Sequence, residues 1–202
     1  LQFRYDDSTP NQRTTKVTGR AGQTRVYVTR RSDFQLLSLR DELGGVTSFS
    51  YDTNGKLLSQ TNPLGQTTRY EYDVQGNLVK AIDPAGAVTT LTYDDAHQPL
   101  VVTNALGQQV RLRYDSKPRL VSQTDPLKQV TTYTYNDEGQ VQTYTSAGGG
   151  VTRYDYTAGQ LTQVTLPEGN SYQLGYDEAG RIVNLRDPEG QTKIGRASCR
   201  ER

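Results

Sequence analysis

The chain has 202 residues, 33% of them hydrophobic, and a mean hydropathy of −0.77; such a composition excludes a thick globular core and suits a thin sheet. The 23 Lys and Arg against 22 Asp and Glu leave a formal charge of +1, which creates no overall field for nucleic acid, an anionic membrane or an acidic substrate. No apolar run approaches the roughly 18 residues of a spanning helix, so membrane insertion by this segment is not expected.

The 14 Tyr, with abundant Thr and Val, favour strands over helices. Residues 1–43 read as two degenerate repeats: FRYDD (Phe3–Asp7) holds a Tyr-Asp pair, and GQTRVYV (Gly22–Val28) reads as a strand without one. The polar stretch between them, residues 8–22, contains Pro and Gly and reads as a long surface loop.

Residues 44–192 hold seven regular repeats. Their markers are Tyr51, Tyr72, Tyr93, Tyr114, Tyr135, Tyr156 and Tyr176, at successive spacings of 21, 21, 21, 21, 21 and 20. A catalytic site has no use for that spacing, whereas a stacked architecture requires it. Two positions before each marker stand Phe49, Tyr70, Leu91, Leu112, Tyr133, Tyr154 and Leu174, and polar or small residues intervene. Period-2 alternation of this kind predicts a half-buried strand. Asp52, Asp73, Asp94, Asp115 and Asp177 follow their tyrosines, and D/N-x-x-G turns run from Asp52, Asp73, Asn136 and Asp177 to Gly55, Gly76, Gly139 and Gly180. The carboxylate can accept a backbone N–H two residues on, and Gly takes the positive φ. His97 and Pro118 stand where Gly is expected, and the sixth turn is one residue short. A second strand begins at Leu57, Leu78, Pro99, Leu120, Val141, Leu161 and Ile182, and several end at Asn-Pro or Asp-Pro.

Each repeat is therefore strand, turn, strand, turn. A lone hairpin is marginal in water and must borrow stability from its neighbours. The expected fold is all-β: tandem hairpin repeats of about 21 residues forming a long curved antiparallel sheet. The grammar stops at residues 193–202, KIGRASCRER, which resembles the translation of a sequencing adapter and is set aside; the only cysteine, Cys199, lies in it. The rest of the chain has no Cys for disulfides or thiolate zinc sites. A start at Leu1 and the absence of Met read as a piece of a longer protein.

The chemistry-bearing residues point to scaffold rather than site. The turn aspartates recur one per repeat and so do not converge as a calcium cage needs. Asp6-Asp7 and Asp94-Asp95 are sequence neighbours that point apart on a strand or are solvated at a turn. His97 is the sole histidine and reads as a turn residue. Ala147–Gly150 lies between strands, without the helix start a phosphate cradle needs. The tyrosines, and the polar-face Arg69, Arg111, Arg113 and Arg153, offer stacking and charge, but the regular register of the tyrosines predicts a packing ladder. No catalytic residue, cofactor site or metal site is assigned.

The run YDTNGKLLSQTNPLGQTTRYEYDVQGNLVKAIDPAGAVTTLTYD (Tyr51–Asp94) resembles the YD-repeat, or Rhs-repeat, family, and the pattern covers about Gly44 to Thr192 with weaker coverage from Phe3. The resemblance implies the spiralling β-sheet wall of a hollow shell, as in bacterial polymorphic toxins, the C component of insecticidal toxin complexes and animal teneurins. Bacterial members enclose a toxic C-terminal domain, and teneurins use the shell for adhesion. By that resemblance the chain is expected to be a non-enzymatic wall segment that encapsulates a downstream C-terminal toxin for interbacterial competition or secretion. Its implied partners are further repeats of the same parent chain, the enclosed toxin, and spike or adaptor proteins of a secretion system such as type VI; nucleic acid is not among them. Its implied location is secreted or on the surface of a bacterial cell. The alternative is a cell-surface adhesion or carbohydrate-binding module. The marker tyrosines, with Asp52, Asp73, Asp94, Asp115, Asp177, Gly55, Gly76 and Gly180, fall on repeat positions whose implied role is structural.

Overall fold

The computed structural model describes residues 1–193; residues 194–202, with Cys199 and all but the first residue of the KIGRASCRER tail, lie outside the described residues. The described residues are all-β, with nineteen strands and no helix, so no helix is long and apolar enough to cross a membrane. Two units divide the chain, Leu1–Gln108 and Gln109–Arg202. The first holds β1 (Gln2–Asp6), β2 (Gln12–Thr18), β3 (Thr24–Arg30), β4 (Leu36–Arg40), β5 (Val46–Tyr51), β6 (Leu57–Thr61), β7 (Thr67–Tyr72), β8 (Leu78–Ile82), β9 (Val88–Tyr93) and β10 (Pro99–Thr103). The second holds β11 (Gln109–Tyr114), β12 (Leu120–Thr124), β13 (Val130–Tyr135), β14 (Val141–Thr145), β15 (Val151–Thr157), β16 (Gln160–Thr165), β17 (Ser171–Tyr176), β18 (Ile182–Arg186) and β19 (Thr192–Lys193). Inside each unit every strand pairs antiparallel with its sequence neighbours.

Alternation in sequence becomes two unlike faces. In β5, Thr47, Phe49 and Tyr51 are half-buried while Val46, Ser48 and Ser50 are exposed. Register carries the pattern onward: Phe49 faces Gln60 and Gln60 faces Thr68, whereas Ser50 faces Ser59 and Ser59 faces Arg69. In the second unit the aromatic face places Tyr133 beside Tyr144, rings tilted at 50° with centroids 5.6 Å apart. No described residue is fully buried. A single-layer sheet has no interior, so its stability comes from ladder hydrogen bonds and cross-strand pairs.

The structure corrects the loop expected at residues 8–22. β2 occupies its centre and pairs along its full length with β3, from Gln12↔Arg30 to Thr18↔Thr24. Polar content misleads here because a one-layer sheet leaves one face open to solvent, where Lys16 is exposed and Thr14 and Thr18 are half-buried. The turns are short, one closed by Gln12 N–H donating to the Thr9 carbonyl and the other by Gly19 N–H donating to Gln23.

Candidate functional site

With no fully buried residue among those described, what repeats is how successive hairpins within a unit grip one another. Three constructions recur.

The turn comes first. Asp52 N–H donates to the Lys56 carbonyl at 2.9 Å, and Gly55 N–H to the Asp52 carbonyl at 3.2 Å. The Asp52 carboxylate accepts from the N–H groups of Asn54 and Lys56 at 2.9 and 2.8 Å. The acceptor pattern extends the expected two-residue reach to four. Asn62 repeats it with its amide oxygen, as does Asp83 with its carboxylate. The Pro-containing and Tyr-Asp turns are thus one construction, placed at both ends of the strands. Gly55 stands at φ 87°, and His97 holds the same position at φ 63°. The short sixth turn is a two-residue loop, Ala158-Gly159, with φ of 50° and 78° between the paired Thr157 and Gln160; both values suit a hairpin turn of primed type.

Next is a bulge at the marker tyrosine. Ser50 pairs with Ser59 but Tyr51 pairs with Leu57, so the second strand carries one extra residue there. The same shift recurs at Tyr72, Tyr114, Tyr135, Tyr156 and Tyr176. In β3 and β4 it falls at Thr29↔Leu36, which makes that hairpin a repeat that keeps the bulge without the tyrosine.

Third are two rails between successive hairpins. The phenols of Tyr51, Tyr72, Tyr93, Tyr135, Tyr156 and Tyr176 donate to the carbonyls of Leu36, Leu57, Leu78, Leu120, Val141 and Leu161 at 2.7–3.0 Å, each fifteen residues back. Each acceptor opens the second strand of the preceding hairpin, at its bulge, except Leu161, which is second in β16. Burial pushes the phenols of Tyr72, Tyr93 and Tyr156 above the ordinary tyrosine range. The second rail uses the residue after the positive-φ position of the turn, which is Phe34, Gly55, Pro118 or Gly139. Gln35, Lys56 and Gln140 donate to the carbonyls of Gly55, Gly76 and Gly159 at 3.1, 2.7 and 2.8 Å, and Arg119 donates to that of Asn136 at 3.3 Å. Lys56 and Arg119 also lie over the rings of Tyr72 and Tyr135, 5.2 and 4.6 Å from their centroids. A Cβ on Gly76 would run into the Lys56 ammonium.

A family model described as Teneurin YD-shell matches residues 88–198, and one described as RHS Repeat matches residues 51–90. The chain belongs to the YD-repeat family. No curated protein matches it. Among solved structures, the crystal structure of TcdB2-TccC3-TEV is similar at 15% identity and a TM-score of 0.60, over 89% of this chain and 12% of that one. The Photorhabdus luminescens Tc holotoxin pore is similar at 13% identity and a TM-score of 0.42, over 87% and 14%. The YD-repeat chain thus spans about an eighth of the length of these structures, and the first likeness is one of fold.

The candidate residues of the YD repeats sit in these constructions. Asp52, Asp73, Asp94, Asp115 and Asp177 each accept from the backbone of their own turn. The Arg119 guanidinium and N–H hold the Asp115 carboxyl below the usual range, and the Arg181 N–H and guanidinium do so at Asp177. Burial pushes Asp73 up, but the Asn77 side chain and N–H outweigh it. Gly55, Gly76, Gly139 and Gly180 close turns at positive φ. Asp73, Asp94, Asp95 and His97 do line one open cleft of the first unit, where the His97 ring meets the Asn77 amide oxygen at 3.0 Å. Among the described residues no group of three or more His, Cys, Asp and Glu is placed to hold a metal ion. Asp7, by contrast, is tied to Arg13 and Arg31.

Sequence reasoning missed both rails, and each had left a mark. All seven markers are tyrosine while the position two before them varies among Phe, Tyr and Leu, which points to the hydroxyl rather than the ring. The column Lys56, Asn77, Gln98, Arg119, Gln140, Gln160 and Arg181 is made throughout of side chains that donate hydrogen bonds.

Proposed function

We propose that this chain is a wall segment of an Rhs-type β-shell that encapsulates a downstream C-terminal toxin, exported from a bacterial cell for competition or secretion. The matched families are structural shell repeats, and the carrying observation is the pair of rails. A wall one sheet thick has no core to stiffen it, and the phenol rail and the rail that leaves each turn tie successive hairpins within a unit at the side-chain level, beyond the ladder. Containment needs many such repeated contacts and no catalytic group. The partners in this reading are neighbouring repeats of the parent, the enclosed toxin, and spike or adaptor proteins of the exporting machinery.

The test is protease protection in the parent protein. The C-terminal domain of the intact parent should resist digestion that cuts it rapidly once residues 44–192 are deleted. Equal digestion in both would overturn containment.

A further inference from the structure

Tyr133 and Tyr144 differ from the marker tyrosines in placement and in bonding. They face each other directly across β13 and β14, and among the described residues no other tyrosine within either unit faces a tyrosine in the strand register. Six marker phenols donate to backbone carbonyls. Among the described residues neither the Tyr133 nor the Tyr144 hydroxyl takes part in a hydrogen bond, and the two side chains meet ring against ring.

The hairpin holds this pair in place. Its turn is closed by Asn136 N–H donating to the Gln140 carbonyl at 2.9 Å and by Gly139 N–H donating to the Asn136 carbonyl at 3.0 Å. On the opposite face the hydroxyls of Thr134 and Thr143, the neighbouring register pair, are bonded at 2.7 Å. The Tyr133 and Tyr144 ring centroids thus stand 5.6 Å apart, with the planes inclined at 50°. Successive marker tyrosines are two strands apart, roughly 10 Å at about 4.8 Å per strand, too far for their rings to bond. Tyr133 and Tyr144 are half-buried in a sheet where no described residue is fully buried, so a small oxidant reaches either ring.

We propose that Tyr133 and Tyr144 are a modification site, coupled by a peroxidase-type one-electron oxidant into an intramolecular dityrosine. Each phenol gives up one electron and one proton. The two phenoxyl radicals join through the ring carbon beside each oxygen, and the hydrogens on those carbons move to the oxygens as both rings regain aromaticity. Hydrogen peroxide accepts the two electrons and two protons, with two protons of its own, and leaves as two waters. Fixed placement turns what is otherwise a bimolecular encounter of radicals into an intramolecular step. A biaryl crowded by hydroxyls is twisted, so the 50° inclination already resembles the product. The result is a covalent staple across β13 and β14, in a chain whose described residues contain no cysteine for a disulfide. Such a link restricts the unfolded chain as a disulfide does. Coupling is independent of toxin containment, and each has its own test.

The experiment treats the 202-residue chain, dilute and with Cys199 alkylated, with a peroxidase and hydrogen peroxide. The monomer should gain dityrosine fluorescence and lose the mass of two hydrogens. Trypsin then releases residues 129–153, and a glutamyl endopeptidase cuts this fragment after Glu138. The two halves, one holding Tyr133 and the other Tyr144, should stay joined. Tyr144→Phe should lower the monomer's dityrosine signal at least fivefold. Tyr135→Phe, whose phenol is engaged by Leu120, and Tyr154→Phe, two residues beyond the Thr152 that faces Tyr144, should stay within about twofold of the parent. If Tyr144→Phe fails to fold, the fragment map of the parent chain decides alone. Halves that separate, dityrosine found only between molecules, or a signal that survives Tyr144→Phe would each overturn the proposal.

Discussion

The Tyr72 phenol donates to the Leu57 carbonyl at 3.0 Å, the backbone group of the residue that faces the preceding marker, Tyr51, across its bulge. One repeat's marker is thereby fastened to the bend that the previous marker creates. A bulge disrupts the ladder locally, and the hydroxyl of the next repeat supplies the donor.

This relationship separates hydroxyl from ring. Tyr135→Phe keeps the ring against Arg119 and removes the 2.7 Å bond to Leu120, so it should cost about 1 kcal/mol, the typical net value of one hydrogen bond. Tyr135→Ala also removes the half-buried ring and should cost about 2–3 kcal/mol more. Urea unfolding followed by circular dichroism gives both numbers. A Phe variant as stable as the parent would reduce the phenol rail to a coincidence of spacing.

The turns make a prediction about charge. Asp83 accepts from Ala85 and Ala87 through one oxygen, and Asn62 and Asn104 do the same with an amide. Asp83→Asn should therefore leave stability within about 0.5 kcal/mol, whereas Asp83→Ala, which offers no acceptor, should cost about 1 kcal/mol. Similar losses in both variants would mean that the carboxylate acts through its charge.

Most of the fold was legible because a one-layer repeat writes its pattern on the surface of the sequence. Tyr51, Phe49 and Thr47 alternate with serines, and Gly55 marks the positive φ, so strands and turns emerge from local rules. Two things were not local. β2 is polar on the solvent side and has too few apolar residues to announce a strand; its pairing with β3 identifies it. The rails join residues fifteen to twenty apart, such as Tyr51 with Leu36 and Lys56 with Gly76, and a backbone carbonyl leaves no trace in the sequence.

Pro118 is where local rules and structure conflict most. It occupies the glycine position at φ 28°, although the ring favours about −65°. It also has no N–H for the bond that Gly76 and Gly139 make to Asp73 and Asn136 at 3.0 Å. Pro118→Gly relieves the strain and restores that donor, against the greater freedom glycine gains in the unfolded chain. The net should be a gain of about 1 kcal/mol, read as a higher urea midpoint with an unchanged m-value. A lower midpoint would show that the proline is accommodated without strain.

Stability should fall at both ends of the pH range, for opposite reasons. Hydrogen bonds from Arg119 and Arg181 lower the folded pKa of Asp115 and Asp177. Their contribution is complete above the ordinary carboxylate value and is lost as pH falls below about 4. Burial raises the phenols of Tyr72, Tyr93 and Tyr156 in the folded state. Their contribution is complete below about pH 10 and is lost as pH climbs through the raised values, because a phenolate cannot donate to the carbonyls of Leu57, Leu78 and Val141. Unfolding midpoints measured from about pH 2.5 to 11.5, a range that brackets both classes of group, should form a plateau with two shoulders. Replacing Tyr72, Tyr93 and Tyr156 by Phe should lower the plateau and flatten the alkaline shoulder while leaving the acid one in place; an alkaline shoulder unchanged in that variant would assign the loss to other groups.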